Sequence, residues 1–301
     1  MSSQIITTGL RPRIGTGVGA AHFGELMQGA LAGGRVLLSL PCPLFQSEAT
    51  FSPSRERGVL MCPSHRQKAR LAAETLLAEL DTAWRGGFLS IRSNVPVSRG
   101  LGSSTADCVA ALRAVASALG ATLTSGTIAR IAVSAESAAD STMFPSAVLF
   151  LHREGRVLED LGAELPALEV LGFDTGPSGR GVDTLTHPQP RYEASDLARF
   201  AILAGLARQA VAAQDVHCAG FAATGCARVN QRFLPKPRFD DLERIASESG
   251  ALGIVAAHSG TVAGLLFDPK DKATPGRISI ASRQLARMGI EDTWRFITRR
   301  G

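Results

Sequence analysis

Residues 96–107 have the composition of an anion-binding turn that opens into a helix. They read Pro-Val-Ser-Arg-Gly-Leu-Gly-Ser-Ser-Thr-Ala-Asp, so two glycines and two adjacent serines precede helix-forming residues. The first N–H groups of a helix have no partners within it and carry partial positive charge, which suits a phosphate. A capping box between Ser104 and Asp107 is the simpler interpretation, yet it does not require the glycines. The segment therefore predicts a phosphate-binding loop, in which the backbone and a bound Mg²⁺ must supply the charge that a lysine would.

Two carboxylates, Glu136 and Asp140, lie four residues apart in the stretch Ala-Val-Ser-Ala-Glu-Ser-Ala-Ala-Asp. Residues 127–139 are predicted to form a helix, and side chains one turn apart project from the same face. Both groups are thus expected to face one cleft, where a carboxylate can bind a metal or accept a proton. The alternative is a solvated acidic face.

The elements that would position these groups follow from apolar periodicity and from breakers. Short apolar stretches bounded by turn residues predict strands over 36–40, 45–51, 88–93, 147–152 and 168–173, and a strand pair within 253–267. Helical spacing predicts helices over 65–84, 106–119, 127–139, 194–214 and 239–249, with a final helix and strand within 278–298. The loop 174–190 is expected to act as a hinge or substrate loop. This mixed order indicates an α+β fold whose two lobes meet near residues 150–170.

Three motifs together resemble the GHMP kinases, the family of galactokinase, homoserine kinase, mevalonate kinase and phosphomevalonate kinase. Residues 96–106 match the family's central signature, Pro-x-x-x-Gly-Leu-Gly-Ser-Ser-x-Ala, at every fixed position. Residues 21–29 (Ala-His-Phe-Gly-Glu-Leu-Met-Gln-Gly) and 257–264 (Ala-His-Ser-Gly-Thr-Val-Ala-Gly) fall where its other motifs occur. The resemblance implies a two-lobed GHMP kinase fold, with an ATP-binding lobe like ribosomal protein S5 domain 2 over residues 1–165 and a ferredoxin-like lobe over 166–301.

By the same resemblance, ATP and Mg²⁺ are the cofactors and a small hydroxyl-bearing molecule is the substrate. Ser104, Glu136 and Asp140 are the expected catalytic residues, and the first two are expected to hold Mg²⁺. Asp140 would take the substrate's proton as in several members, whereas others have no such base and rely on positioning and electrostatics. The residues expected to bind the triphosphate are Pro96, Arg99, Gly100, Leu101, Gly102, Ser103, Ser104 and Thr105.

The motifs also bear on the acceptor. Gly-Glu-Leu-Met-Gln-Gly at 24–29 and Ser-Ser-Thr-Ala-Asp at 103–107 are most similar to the family members that phosphorylate L-threonine in cobalamin synthesis, whereas Ser-Arg-Gly-Leu-Gly at 98–102 is closer to homoserine kinase. Both acceptors are amino acids with a side-chain hydroxyl. Glu25 is the candidate for binding the substrate ammonium and Asp183 a reserve acid, although Glu25 could equally cap a turn. The candidates for the carboxylate and the rest of the pocket are Ser259, Gly260, Thr261, His22 and His258, each of which also has a purely structural interpretation.

Composition excludes several other classes of protein. The only lysines are Lys68, Lys236, Lys270 and Lys272, and none lies in a Gly-Lys-Ser/Thr sequence, so a Walker A loop is absent. The net charge of +5 is scattered rather than clustered, which argues against nucleic acid. Five cysteines without a Cys-x-x-Cys pair argue against zinc or a disulfide framework and fit the cytoplasm. Neither a membrane span nor a signal peptide is expected, and a homodimer is left open.

Two competing interpretations remain. Residues 15–20, Gly-Thr-Gly-Val-Gly-Ala, formally fit the dinucleotide fingerprint, but no acidic residue follows about twenty positions on, so they are interpreted as loop or early strand. The chain could also be a non-catalytic ligand sensor with the kinase fold. The presence of Ser104, Glu136 and the glycines favours an enzyme, with homoserine kinase or another small-alcohol kinase as the alternative activity.

Overall fold

A ten-stranded mixed sheet organises the chain in a computed structural model, which describes residues 6–7, 12–80, 82–176, 190–258 and 260–299. The strands are β1 (Ile6–Thr7), β2 (Gly15–Leu31), β3 (Gly34–Ser54), β4 (Gly58–Cys62), β5 (Gly86–Ser93), β6 (Ala121–Thr122), β7 (Val148–Leu151), β8 (Arg156–Asp160), β9 (Glu169–Asp174), β10 (Gly253–Ala256), β11 (Val262–Phe267) and β12 (Thr293–Ile297). The main path of the sheet runs β12-β9-β11-β10-β2-β3-β5-β4, and β7 and β8 branch from β3. Strands β1 and β6 form a separate two-stranded sheet.

Seven helices in the described residues cover the sheet. They are α1 (Gln67–Glu79), α2 (Ser103–Leu119), α3 (Ser125–Glu136), α4 (Ala194–Ala213), α5 (Val216–Asn230), α6 (Phe239–Ser249) and α7 (Thr274–Arg287). Apolar side chains form three buried clusters: α1, α2 and α3 pack with β3 and β5, α4 and α5 pack with β2, and α6 and α7 pack with β9, β10 and β11. None of these helices is long and apolar enough to cross a membrane.

The glycines of the apparent dinucleotide fingerprint have a packing role. Gly15, Gly17 and Gly19 alternate along β2 and therefore face the same side of the sheet. A methyl group on Gly17 would lie 2.3 Å from the Ala110 carbonyl oxygen of α2, and one on Gly19 would lie 1.9 Å from that of Ala106. Only glycine thus lets β2 pass directly against α2, and the interpretation as early strand is the correct one.

The predicted elements are present, with corrections at their ends. The stretches 36–40 and 45–51 belong to one long strand, β3, because pairing with β2 continues past Pro41. The helix predicted over 127–139 ends at Glu136, since Ser137 adopts a left-handed conformation with φ +68°. Strands β4 and β8 and helix α5 were not predicted from the sequence. Most of the predicted hinge loop, residues 177–189, lies outside the described part of the chain.

Candidate active site

A cavity of about 770 Å³ lies where the glycine-containing loop before α2 meets β2, the end of α3 and the segment after α5. Its lining includes residues from all three predicted motifs. Of the predicted site residues, the lining contains Gly100, Leu101, Gly102, Ser103, Ser104, Thr105, Glu136, Asp140, His22 and His258. The structure therefore brings these together in one place, although they come from widely separated parts of the chain.

The glycine loop presents the start of α2 to this cavity. Gly100 and Gly102 have φ values of +85° and +71°, a region that side-chain-bearing residues rarely adopt. Gly102 is the N-cap of α2, and no side chain in the described part of the chain caps it, so the capping box between Ser104 and Asp107 is not formed. The N–H groups of the first turn are left for a ligand such as phosphate.

Asp107 bonds to residues outside its own helix. Its carboxylate accepts a hydrogen bond of 2.5 Å from the Ser47 hydroxyl and pairs with the Arg66 guanidinium. Burial raises the pKa of Asp107, while Ser47 and Arg66 lower it. This residue thus ties α2 to β3 and to the segment before α1, rather than capping its own helix.

The backbone of the glycine loop is fixed by the third motif. The Arg99 carbonyl oxygen accepts hydrogen bonds from Thr261 N–H at 3.0 Å and Val262 N–H at 3.2 Å. A methyl group on Gly260 would lie 2.3 Å from that same carbonyl group. The Arg99 side chain forms an ion pair with Asp174 at the end of β9. Gly260 and Thr261 therefore contact the phosphate loop itself, and they are not among the residues that line the cavity.

Glu136 ends α3 at the cavity wall and is 5% exposed. Its carboxylate accepts a hydrogen bond of 2.8 Å from the Thr105 hydroxyl. Burial raises the pKa of Glu136 to about 7, against hydrogen bonds from Ser104 and Thr105 that lower it. A cation bound here would favour the ionised form. The pairing of a serine hydroxyl with a buried carboxylate beside a phosphate-binding loop is the hard oxygen donor set that Mg²⁺ prefers, so the residues fit that ion.

Asp140 reaches the cavity by another route than the predicted one. It does not continue the helix of Glu136; it follows the left-handed turn at Ser137, and the loop returns because Ala139 N–H bonds to the His152 carbonyl at 2.9 Å. The Asp140 N–H then donates to the Thr105 hydroxyl at 3.3 Å. The two carboxylates line one cavity as expected, but the expected reason, a shared helix face, is wrong.

His22 lies between two carboxylates. Its Nε2 is 3.2 Å from Asp140 Oδ2, and its Nδ1 is 3.5 Å from Glu25 Oε1. Residues three apart would face opposite sides of a regular strand, but the β2–β3 register shifts here and Gly24 adopts φ +68°, which is a β-bulge. Burial lowers the pKa of His22, but Asp140 and Glu25 outweigh this effect and raise it to about 9. His22 is thus an imidazolium at neutral pH.

The charge on His22 sets the state of its neighbours. Burial would raise the pKa of Asp140, but the His22 cation and its hydrogen bond lower it below the ordinary value. Asp140 is therefore ionised at neutral pH, and an ionised carboxylate can accept a proton but has none to donate. Ligand atoms of His22, Glu25 and Asp140 lie within 4.8 Å of one another, and His22 Nδ1 is also 3.2 Å from the Gly24 carbonyl oxygen.

Glu25 is placed behind the cavity wall. It is 1% exposed, does not line the cavity and accepts a hydrogen bond of 2.6 Å from the His258 N–H. Burial raises its pKa to about 7 against the opposing effect of His22. Glu25 thus contacts His22 and the third motif in this structure. The other predicted acid, Asp183, and the predicted hydroxyl of Ser259 lie outside the described residues.

Several cavity residues were missed by sequence reasoning. Lys68, in the first turn of α1, lines the cavity and lowers the pKa of Glu136 by its charge, so the loop lacks a lysine but the site does not. Lys236 is 4% exposed and donates to the Gly260 carbonyl at 2.9 Å. Gln28 bonds to His258 Nδ1 at 2.9 Å. Among these, only Gln28 lies within a motif that could have signalled it.

Comparisons with known proteins show the family and the fold of the chain. Residues 67–147 match the family model described as the GHMP kinases N terminal domain. An L-threonine kinase from Citrobacter freundii is 32% identical over 257 residues, which cover 82% of this chain and 84% of that protein. An L-threonine kinase from Salmonella typhimurium is 31% identical over 255 residues, which cover 83% of this chain and 82% of that protein. The crystal structure of homoserine kinase from Cytophaga hutchinsonii is similar with a TM-score of 0.69 and 16% identity, covering 98% of this chain and 96% of that one. The predicted α+β fold is thereby confirmed.

Proposed function

Because the chain belongs to the GHMP kinase family, we propose that it transfers the γ-phosphoryl group of ATP to the side-chain hydroxyl of L-threonine, giving O-phospho-L-threonine. The observation that carries this proposal is the close approach of the phosphate loop to a paired carboxylate. A methyl group on Gly102 would lie 2.5 Å from the His22 ring and 2.6 Å from Asp140 Oδ2. The N-terminus of α2 and a proton acceptor are thus adjacent, as in-line phosphoryl transfer to an alcohol requires. The choice of L-threonine is supported by the two relatives with that activity.

In this proposal the protein binds, orients and accepts a proton. Bound ATP would supply the phosphoryl group, and Ser104 and Glu136 would hold Mg²⁺, which would neutralise charge on the phosphates when bound. The backbone N–H groups of Ser103, Ser104 and Thr105 donate to phosphate oxygens. Asp140 accepts the hydroxyl proton while the hydroxyl oxygen bonds to phosphorus and ADP departs. His22 keeps Asp140 ionised and oriented through the 3.2 Å contact.

Two other functions fit parts of the site. L-Homoserine kinase activity is supported by the Ser-Arg-Gly-Leu-Gly sequence at 98–102 and is the alternative acceptor assignment. A non-catalytic ligand-binding protein would not need a base held ionised beside the phosphate loop. The paired His22 and Asp140 therefore favour the enzyme.

The cellular setting belongs to the proposal as well. We assign residues 1–165 to an ATP-binding lobe and residues 166–301 to a second lobe, with the cavity between them. The five cysteines are free thiols, which supports a reducing cytoplasm. The resemblance of residues 24–29 and 103–107 supports a role in cobalamin synthesis. The acceptor is a small amino acid and not a nucleic acid, and a homodimer is left open.

The test is an acceptor panel. The protein is incubated with Mg-ATP and one acceptor at a time: L-threonine, L-serine, L-homoserine or mevalonate. Phosphorylated products are identified by mass spectrometry. We expect phosphorylated L-threonine with the highest kcat/KM. Preferential phosphorylation of L-homoserine would replace the acceptor assignment, and binding of ATP or an amino acid without any phosphorylated product would support a ligand-binding protein instead.

A further inference from the structure

Two arginines come together at one part of the cavity through the pairing of β3 with β7. Val36 lies opposite Leu151 and Leu37 opposite Phe150 in this antiparallel ladder. The next residues beyond its end are therefore Arg35 on one strand and His152, followed by Arg153, on the other. Both arginine side chains line the cavity. Neither belongs to a predicted motif.

No carboxylate in the described part of the chain neutralises this pair. Arg35 donates to the Pro190 carbonyl oxygen and lies 5.6 Å from the centre of the Tyr192 ring, and both partners are uncharged. Arg153 is exposed and forms no ion pair among the described residues. The neighbouring acid, Glu154, pairs with Arg156 at 2.8 Å. Burial lowers the pKa of Arg35, and the charge of Arg153 lowers it further against the effect of Tyr192.

The histidines beside the arginines add no positive charge to this part of the cavity. The rings of His152 and His258 pack edge to face, with their centres 5.5 Å apart. Burial lowers the pKa of His152 to about 3 and that of His258 to about 4, so both are neutral near pH 7. Two guanidinium groups beside neutral imidazoles form a positive donor set on the cavity wall. Guanidinium groups suit a carboxylate because they donate parallel hydrogen bonds to its two oxygens.

We propose that Arg35 and Arg153 form the subsite that binds the α-carboxylate of the acceptor amino acid, an inference that rests on the proposed function. Three residues were expected from the sequence to do this: Ser259 lies outside the described residues, and Gly260 and Thr261 instead contact the backbone of Arg99. The subsite makes the enzyme select amino acids over simple alcohols with the same hydroxyl group. It acts on acceptor binding and leaves the ATP site unchanged.

The test compares L-threonine with L-threoninol, which has the same hydroxyl and amine but a second alcohol in place of the carboxylate. Arg153→Gln and Arg35→Gln are each measured for turnover, and binding of both ligands is measured by calorimetry in the presence of a non-hydrolysable ATP analogue. We expect each variant to weaken L-threonine binding about 10- to 100-fold, the usual effect of losing a charge-assisted hydrogen bond. Binding of L-threoninol and the KM for ATP should not change. Arg156→Gln is the matched control, because Arg156 lies on the same hairpin, pairs with Glu154 and does not line the cavity.

The outcomes separate this inference from the proposed function. If the wild type phosphorylates L-threonine and both variants bind it as tightly as the control, the subsite is wrong and the function stands. If the wild type does not phosphorylate L-threonine but binds L-serine or L-homoserine in a way that depends on the arginines, the function is wrong and the subsite stands. If the wild type binds no amino acid of the panel, the subsite is overturned. Equal weakening of L-threonine and L-threoninol would also overturn it, because the arginines would then act on the cavity as a whole.

Discussion

The two parts of the cavity differ in the groups that line them: one presents mainly backbone groups and the other charged side chains. The proposed phosphate loop, residues 96–105, presents its backbone: left-handed glycines, the open N–H groups of α2 and a carbonyl anchored by Thr261 and Val262. The proposed acceptor pocket, around His22 and Asp140, presents charged side chains that set one another's protonation. The first is therefore sensitive to the addition of a single methyl group. The second is sensitive to the loss of a charge or to a change in pH.

This difference follows from what the triphosphate and the acceptor hydroxyl group each require. A triphosphate carries charge at every pH of interest, so fixed backbone donors can bind it without any group changing its protonation state. A hydroxyl group must lose a proton during transfer, so its partner must be held in one protonation state. Three substitutions and one change of pH test this distinction.

Asp140→Asn should have the largest effect. Because the amide cannot accept the hydroxyl proton, kcat should fall about 10²- to 10⁴-fold, the usual range for loss of a general base. The KM for ATP should change little if the acceptor pocket is separate from the phosphate loop. Steady-state kinetics with L-threonine measures both values, and Asp160→Asn, an exposed carboxylate on β8, is the control. Unchanged turnover in Asp140→Asn would mean that positioning alone drives the reaction.

Glu136→Gln should reduce kcat about 10²- to 10³-fold, comparable to the loss of one transition-state stabilising group. The substitution keeps the shape of the side chain but removes its charge beside Ser104 and Thr105. The concentration of Mg²⁺ needed for half-maximal activity should rise, which distinguishes metal binding from a general structural role. Glu159→Gln is the control, since Glu159 is exposed and pairs with Arg208. A Mg²⁺ dependence identical to wild type would remove Glu136 from the metal site.

Gly260→Ala should displace the backbone of the phosphate loop, although residue 260 does not line the cavity. The added methyl group must displace the Arg99 carbonyl, which lies 2.3 Å away, and φ at this position is +113°. We expect kcat/KM for ATP to fall about 10- to 100-fold through misplacement of the loop. Gly58→Ala places a side chain at a comparable positive φ of +98° but meets no atom within 4 Å, so it separates the clash from the strain. Equal kinetics in the two variants would contradict the role assigned to the contact.

The smallest effect is expected from pH on the unliganded protein. Between about pH 6.5 and 8 the folded state keeps a proton on His22 and retains part of those on Glu25 and Glu136, whereas the unfolded state has lost them. A group whose pKa is higher in the folded state than in the unfolded state stabilises the protein while it is protonated. This stabilisation is lost as the pH rises. The free energy of unfolding should thus fall by about 1–2 kcal/mol or more across this window.

Three other perturbed groups leave this window largely undisturbed. Burial lowers the pKa values of His152 and His258 to about 3 and 4, so their opposing effect fades above pH 6.5, and that of Lys236 is small until its pKa of about 8. Urea unfolding at several pH values provides the measurement, and His22→Gln should flatten the slope. Stability that stays level or increases from pH 6.5 to 8 in the wild type would contradict the imidazolium assignment.

The part of the site that could be predicted from the sequence is the part encoded in one continuous segment. Residues 96–107 show their glycines, hydroxyls and helix start in order, and the structure presents them to the cavity. Asp140 was correctly predicted to line the cavity, but as a continuation of the helix of Glu136. The left-handed turn that ends this helix is at Ser137, and a serine there gives no sequence signal for such a turn. Helix α5 was missed since Gly220 and Gly225 weaken its helical signal, although both positions are crowded against neighbouring elements.

Long-range partners had no local signal at all. Lys68 belongs to α1 and Arg35 to the start of β3, and only tertiary packing brings them to the same cavity. The burial of Glu25 likewise depends on β10, which pairs with β2 at Ala256 opposite Glu25. Apolar periodicity predicted the helices and strands, and the motif at 96–107 predicted the phosphate loop. Neither indicates which charged side chains come together through tertiary packing.

The bond between the Arg99 carbonyl and the N–H groups of Thr261 and Val262 has a consequence for synthesis of the chain. The ribosome makes the phosphate loop long before it makes the hairpin of β10 and β11 that fixes it. A nascent chain that ends before residue 261 lacks both donors, so these bonds cannot yet hold its loop. We expect ATP binding to begin only when nearly the whole chain has emerged.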